Sequence, residues 1–152
     1  MQALLAKYTG DAKTGVAIVA SALESKSAGD ADGEAKYDVT IVAVLVDDNG
    51  VIQDCIIDGI ATSVTFNNKG QITSDLTKAP QTKNELGENY GMKAWGGAKY
   101  EWNEQAASYA QYITGMTAAD VAGIAIDETT KPADGTDLKS SVTISIGGFQ
   151  AL

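Results

Sequence analysis

The chain has no histidine and no arginine among its 152 residues, and all 11 of its basic residues are lysines. Histidine is the side chain best suited to proton transfer near neutral pH, and it is the commonest ligand of transition metals. Its absence excludes serine–histidine–aspartate and cysteine–histidine catalysis. The sequence therefore predicts a protein that is not a conventional acid–base or nucleophilic enzyme.

Positive charge is also scarce, with 20 carboxylates against 11 lysines and a net charge of −9. A nucleic-acid-binding surface must neutralise phosphates, and it usually reads base edges with arginine. We therefore expect no nucleic-acid partner and, by the same electrostatic reasoning, no binding to anionic membrane surfaces. No run of about 18 apolar residues occurs, so no transmembrane segment is predicted.

Proline occurs only twice, and no change of composition marks a linker, so residues 1–152 are predicted to form a single domain. The start, Met1 to Ala6, has neither the charged region nor the long apolar stretch of a signal peptide. The chain ends at Leu152, shortly after a predicted strand, which is typical of a domain trimmed from a longer secreted chain. We expect an extracellular or cell-envelope location and leave a cytoplasmic one open.

The single cysteine, Cys55, lies in a strand-like run without a basic neighbour. Such a residue is more often a small buried apolar side chain than a reactive thiol, because nothing lowers its pKa. One cysteine allows no internal disulfide, so the cysteine count does not identify the redox compartment. We predict that Cys55 is buried and inert.

Alternating apolar residues predict a β-rich first half. Strands are expected over residues 15–23, 37–46 and 51–60, where β-branched residues dominate and Asn49-Gly50 provides a turn signal. A second strand–turn–strand unit is expected over 63–66 and 71–76, around the turn from Asn67 to Gly70. These segments together predict a meander of about four antiparallel strands.

The second half is predicted to be mainly helical. Trp102, Ala106, Tyr109 and Ile113 recur at helical spacing, and Gly115 ends the pattern. Residues 117–120 have the order of a capping box, and residues 141–146 alternate like a last strand. We therefore predict an α+β fold, an antiparallel β-meander sheet with one principal helix packed on one face.

The segment from Lys83 to Trp102 concentrates aromatic residues, glycines and lysines on a predicted long loop. Aromatic rings stack on planar ligands, glycines allow close approach of the backbone, and lysines meet anionic groups. The alternative is that this loop is structural and covers the open face of the sheet. The predicted ligand-binding residues are Lys83, Tyr90, Met92, Lys93, Trp95, Tyr100 and Trp102.

Carboxylates offer two further kinds of chemistry. A pair drawn from Glu85, Glu88, Glu101 and Glu104 would suit glycoside hydrolysis, which needs no histidine, although solvated surface residues are the favoured interpretation. Residues 30–34 and 134–137 resemble parts of a calcium loop but lack its distant bidentate glutamate. We interpret both as solvated turns and predict no metal site.

Four runs in the chain carry a resemblance to known proteins. Residues 14–19 (TGVAIV), 44–52 (VLVDDNGVI), 83–93 (KNELGENYGMK) and 101–106 (EWNEQA) resemble uncharacterised secreted or lipoprotein-anchored modules of anaerobic Firmicutes. The resemblance covers most of residues 14–149 and implies an envelope module without an assigned activity.

A more distant resemblance concerns a cofactor. The strand, the Asp-x-x-Gly-x-Ile turn at residues 47–52 and the strand after it are similar to the start of FMN-binding domains of cell-envelope electron-transfer proteins. That family attaches its flavin at a Ser-Gly-Ala-Thr motif, whereas residues 114–117 (TGMT) share only its glycine and final threonine. The resemblance implies non-covalent FMN as the candidate cofactor.

Three hypotheses about function follow. The first is a non-catalytic, extracellular or cell-envelope binding module for a small planar ligand, with flavin as the named candidate. The second is a structural subunit of a surface layer or filament, which packs against copies of itself and binds no ligand. The third is a glycosidase that uses carboxylates alone, with Glu85 and Glu101 as the residues to test.

Overall fold

Residues 12–152 are described by the structure, a computed structural model, and they form an α+β fold. Three antiparallel strands lie in the order β1-β2-β3 and make one sheet: β1 (Lys13–Ser21), β2 (Gly33–Val46) and β3 (Ile52–Phe66). The predicted class and the antiparallel meander are therefore confirmed. The interpretation of Met1 to Ala6 concerns residues outside the described part of the chain.

A tight turn at the predicted position joins β2 to β3. The Asp47 carboxylate accepts the backbone N–H groups of Asn49 at 2.9 Å and Val51 at 3.0 Å. Gly50 takes a φ of +77°, which glycine adopts at little cost. A register shift at Leu45/Val46 places a β-bulge next to this turn.

The number of strands was predicted wrongly. Residues 51–60 and 63–66 belong to one continuous strand, β3, because β2 begins at Gly33 and its first residues pair with the end of β3. After the turn at Asn67, residues 71–76 form no strand: they make an isolated bridge between Ile72 and Phe66 and scattered bonds such as that from the Thr73 N–H to the Thr65 carbonyl. The meander therefore has three strands among the described residues rather than four.

The predicted last strand, residues 141–146, is also wrong. The Gln105 side chain accepts the backbone N–H groups of Thr143 and Ile144, and the N–H of Ile146 bonds to the carbonyl of Thr130. No neighbouring strand therefore pairs with this segment in the described part of the chain. Its alternating pattern reflects buried Val142 and Ile146 on either side of exposed positions.

The principal helix is confirmed, and several short helices surround it. Helix α3 (Trp102–Ile113) buries the predicted stripe of Trp102, Ala106, Tyr109 and Ile113. The predicted capping box is present at Thr117 and Asp120, where bonds from Thr117 also lower the pKa of the Asp120 carboxyl. The other α-helices are α1 (Lys83–Leu86), α2 (Met92–Gly96), α4 (Ala118–Ala122) and α5 (Gly147–Gln150). Two 3-10 helices occupy Gly87–Tyr90 and Asp137–Ser140.

The core lies between α3 and one face of the sheet. Strands β2 and β3 contribute Val42, Ile52, Cys55 and Ile57, which pack with the buried stripe of α3. Residues Leu138, Val142, Ile146 and Phe149 close the core from the C-terminal part of the chain. No helix within residues 12–152 is both long and apolar enough to cross a lipid bilayer.

The opposite face of the sheet is partly open to solvent. Opposite side chains in the sheet register share a face, so Val16 lies with Ala43 and Ile18 with Ile41. Val16, Ile18, Tyr37 and Ile56 are between 38% and 62% exposed on this face. Strand β1 is the least covered of the three, because eight of its nine residues are exposed.

Cys55 is buried, which confirms the prediction. Its burial also determines how readily its thiol ionises. Its relative exposure is 6%, and burial raises the pKa of the thiol to about 12, with a smaller contribution from the Asp54 carboxylate. We expect the native protein at pH 8 to resist a thiol reagent for hours, whereas the urea-unfolded chain reacts within minutes. Fast labelling of the folded chain would contradict the assignment, and a Leu76→Cys variant, at a position 59% exposed, provides a positive control.

Candidate functional site

Lys83 is one of two buried charged residues in the predicted segment, the other being Glu101. It opens helix α1, whose N-terminus is capped by the Thr82 hydroxyl, and its side chain is only 8% exposed. Its Nζ lies 3.4 Å from Asp38 Oδ1, 5.1 Å from the ring centre of Trp102 and 5.7 Å from that of Tyr90. An ammonium is rarely buried unless it is paired, and here one long ion pair and two aromatic faces surround it.

A cavity of about 360 Å³ opens beside this ammonium. The sheet side of the cavity consists of β1, β2 and the turn after β1, and the helix side consists of α1, α3 and the residues around α5. Apolar and charged groups alternate around it, so it offers both ring contacts and ion pairs. The lining residues that carry the argument are Lys83, Trp102, Asp38, Lys36, Ile144 and Phe149.

Strand β2 supplies the charged wall, which the sequence reading missed. Lys36, Asp38 and Thr40 line the cavity, and Lys36 makes an ion pair with Glu24 at the rim. Further along the same face of β2 the residues become apolar, since Val42 belongs to the core. On this face of β2 the residues change from polar to apolar, which marks where the core ends and a solvent-filled site begins. This change in the sequence could have indicated the cavity.

The aromatic wall is formed by Trp102 and Phe149. Their ring centres lie 6.1 Å apart and their planes cross at 88°, an edge-to-face arrangement. Trp102 is 6% exposed and Phe149 is 8% exposed, so neither ring is free to swing out. The cavity therefore has rigid aromatic surfaces next to the buried ammonium of Lys83.

Gln105 holds in place the part of the cavity wall that contains Ile144. Its side chain is 1% exposed; its amide Nε2 donates to the carbonyl of Tyr100 at 2.9 Å. Its Oε1 accepts the N–H groups of Thr143 at 2.7 Å and Ile144 at 3.2 Å, and Ile144 lines the cavity. A glutamine inside the apolar stripe of α3 was a sequence signal for such a bond, since buried polar groups are almost always paired.

Glu101 holds the neighbouring helix α2 in place. Its carboxylate is buried, at 2% exposure, and accepts the backbone N–H groups of Met92 at 2.8 Å and Lys93 at 3.0 Å. These N–H groups lie at the N-terminus of α2 and have no partner within the helix. Glu101 therefore fixes the fold of the segment between Tyr90 and Trp102.

The seven predicted ligand-binding residues do not all meet in one place. Lys83 and Trp102 line the cavity, whereas Tyr90 and Met92 pack against the core cluster. Lys93 lies 3.6 Å from Glu104 in a solvent-exposed ion pair. Five of the seven, Tyr90, Met92, Lys93, Trp95 and Tyr100, are therefore not among the residues that line the cavity.

Trp95 is almost completely exposed, at 90%, although it sits in the middle of the predicted segment. Its ring folds back over Gly91, where a Cβ atom would come within 2.3 Å of the ring. Gly91 also has a φ of +84°, so both the backbone and the ring require glycine at this position. The ring thus shields its own helix end and faces away from the core.

The candidate catalytic carboxylates take part in helix-end contacts. Glu85 Oε2 accepts the N–H of Thr82 at 2.9 Å, and Glu101 holds two backbone N–H groups, so both side chains cap helices. In residues 12–152, no group of three histidine, cysteine or acidic side chains is placed to hold a metal ion.

A second, more apolar cavity of about 270 Å³ lies toward the other end of the sheet. It is lined by Val42, Val44 and Val46 of β2 together with residues of β1 and of α3 to α5. It has no lysine or carboxylate among its lining residues. Phe149 separates the two cavities, because it lines both.

The cavity beside Lys83 thus combines a buried ammonium, rigid ring edges and apolar side chains. Such a combination suits binding of a small molecule by ring contact and charge. Comparison of the chain with protein-family models, with curated proteins and with solved structures finds no match in any of the three.

Proposed function

We propose that this protein is a non-catalytic binding module of the cell envelope or the extracellular space, which holds a small planar ligand in the cavity beside Lys83. The observation that carries the proposal is the buried Lys83 ammonium, which lies between the rings of Trp102 and Tyr90 at the wall of a 360 Å³ cavity. Ligand pockets in proteins typically measure about 300–1,000 Å³, so the cavity is large enough for a small ligand.

Lys83 has unused capacity to bind an anionic or carbonyl-rich group. A lysine ammonium has three donors, and the described ion pair with Asp38 takes one of them at 3.4 Å. A ligand oxygen that reaches the ammonium would gain a charge-assisted hydrogen bond from a lysine whose side chain is only 8% exposed. The binding energy would be large because the ammonium is already desolvated and held in place.

Non-covalent FMN is the first ligand to test. A flavin has a flat ring, a carbonyl edge that accepts hydrogen bonds and a phosphate, which match the rings of Trp102 and Phe149, the ammonium of Lys83 and the rim lysine Lys36. The resemblance of the β2 turn to FMN-binding domains supports the same choice. Riboflavin, which lacks the phosphate, separates recognition of the ring from recognition of the charge.

We expect Lys83→Met to weaken FMN binding by about tenfold or more, equivalent to about 1.4 kcal/mol, because the charge-assisted contact is lost while the side-chain volume is kept. Isothermal titration calorimetry of FMN and riboflavin measures the effect. The matched control is Lys99→Met, since Lys99 lies over the Tyr100 ring at 4.9 Å but outside the cavity. The control is expected to bind as the unmodified chain does.

Two results would remove the flavin proposal. One is the absence of any binding heat, or of any shift in flavin absorption, at high micromolar protein. The other is an equal loss of affinity in Lys83→Met and Lys99→Met, which would show a general charge effect rather than a contact in the cavity. Trp102→Leu is not a clean test of binding, because Trp102 also belongs to the core.

A further inference from the structure

The two outer edges of the sheet differ in whether their backbone groups already have hydrogen-bond partners. The outer edge of β3 is occupied: Ile52 exchanges backbone bonds with Met116 at 2.9 Å and Gly115 at 2.8 Å. Further along, the Asn84 side chain donates to the carbonyl of Ile57 at 2.9 Å. Occupied edges of this kind cannot accept a further strand.

No other backbone segment of residues 12–152 covers the outer edge of β1. Within residues 12–152, β1 pairs with β2 alone, and no other backbone group bonds to it. Val16, Ile18 and Val19 are 47%, 62% and 45% exposed, so apolar side chains flank the open edge on both faces. An open edge with apolar flanks is a template for pairing with another strand.

Strand β1 also lacks the devices that usually protect an edge. It has no proline and no bulge in its pairing with β2, and the chain carries no charge from Thr14 to Leu23. Natural edge strands are commonly protected by lysines, prolines, bulges or short length. In a chain with a net charge of −9, this neutral run adds no like-charge repulsion where two copies of β1 meet.

The charges at the two ends of β1 favour an antiparallel partner. Lys13 begins the strand and Glu24 follows its end, so β1 has opposite charges at its two ends, and each also pairs within its own chain, with Asp48 and Lys36. Antiparallel pairing of two identical strands brings Lys13 of each copy toward Glu24 of the other. Parallel pairing would instead place Lys13 next to Lys13 and Glu24 next to Glu24.

We propose that two copies of the chain associate through β1, which pairs antiparallel with β1 of the second copy and joins the two sheets into one of six strands. The contact uses the same edge in both copies, and the β3 edge is occupied, so the assembly closes at two. It therefore differs from the filament that the composition alone suggested.

Sedimentation equilibrium at protein concentrations up to about 1 mM tests the proposal, since this range populates even dimers with a Kd near 1 mM. We expect a dimer for the unmodified chain and a Kd raised by about tenfold or more in Ile18→Lys, because each dimer then contains two lysines at one contact. Leu76→Lys is the matched control, at 59% exposure against 62% for Ile18, and its Kd is expected to be unchanged.

Disulfide trapping keeps the proposal testable if a charged variant folds poorly. Under mild oxidation, Ala17→Cys or Ile18→Cys is expected to form a linked dimer at least about tenfold faster than Leu76→Cys, because the centre of β1 faces its own copy. A monomer at 1 mM, polymers larger than two, or equal trapping rates at all three positions would overturn the proposal. These experiments use no flavin, so their outcome is independent of ligand binding.

Discussion

Replacing Tyr109 with alanine is expected to lower the free energy of unfolding by about 3–5 kcal/mol, because it removes a fully buried ring from the centre of the core. Tyr109 has 0% exposure and packs against Phe149 with ring centres 5.6 Å apart. The cavity left behind would lie between α3 and α5, next to Cys55; burial raises the pKa of the Tyr109 hydroxyl, and the Cys55 thiol contributes less. Urea unfolding followed by far-ultraviolet circular dichroism measures the loss.

Replacing Tyr109 with phenylalanine should change the free energy of unfolding in the opposite direction. The Tyr109 hydroxyl is buried and makes no hydrogen bond to any group in residues 12–152, so it bears the cost of desolvation without a compensating partner there. We expect Tyr109→Phe to be neutral or to stabilise the fold by about 1 kcal/mol. Tyr112, on the same helix but 37% exposed, provides the controls: Tyr112→Ala and Tyr112→Phe should both change stability by less than about 1 kcal/mol. A loss of more than about 1 kcal/mol in Tyr109→Phe would show that the hydroxyl has a partner.

Replacing Gln105 with leucine is expected to cost about 2–4 kcal/mol, since it leaves the backbone groups of Tyr100, Thr143 and Ile144 without their partner. Leucine has nearly the volume of glutamine, so packing changes little and the loss reports the hydrogen bonds. The same urea titration measures it. Gln111→Leu, at an exposed position of the same helix, is expected to stay within about 0.5 kcal/mol.

The Gln105 variant also tests how the cavity wall is held. Ile144 lines the cavity and its N–H bonds to the Gln105 side chain, so under the proposed function FMN affinity should fall together with stability in Gln105→Leu. Equal stability of Gln105→Leu and Gln111→Leu would contradict the role assigned to the buried amide. Retained stability with lost affinity would show that the wall moves without unfolding.

Much of the fold could be predicted because the sequence patterns that indicate it involve residues close together in the chain. The alternation in β2 and the turn at Asn49-Gly50 need only neighbouring residues, and the stripe of α3 repeats at 3- and 4-residue spacing within one helix. The segment from Val142 to Ile146 misled the prediction for the opposite reason. Its backbone is held by the side chain of Gln105, 38 residues earlier in the chain, and such a contact leaves no trace in a local pattern.

The candidate site was predicted only in part, and geometry explains why. Composition pointed to the segment from Lys83 to Trp102, and these two end residues do line the cavity. Composition cannot show which way a ring points, and Trp95 points to solvent. The missing wall comes from β2: the predicted strand over 37–46 included Asp38 but not Lys36, and neither residue was predicted to bind a ligand.

The contrasting positions of the two tryptophans give the protein a built-in optical reporter. Trp95 is 90% exposed, and Trp102 is 6% exposed at the cavity wall, so the two indoles should differ in emission wavelength and in access to a soluble quencher such as iodide. Iodide should remove the emission of Trp95 and leave that of Trp102. In a Trp95→Phe variant, all remaining tryptophan emission would come from beside the cavity, and a bound chromophore would extinguish it by energy transfer.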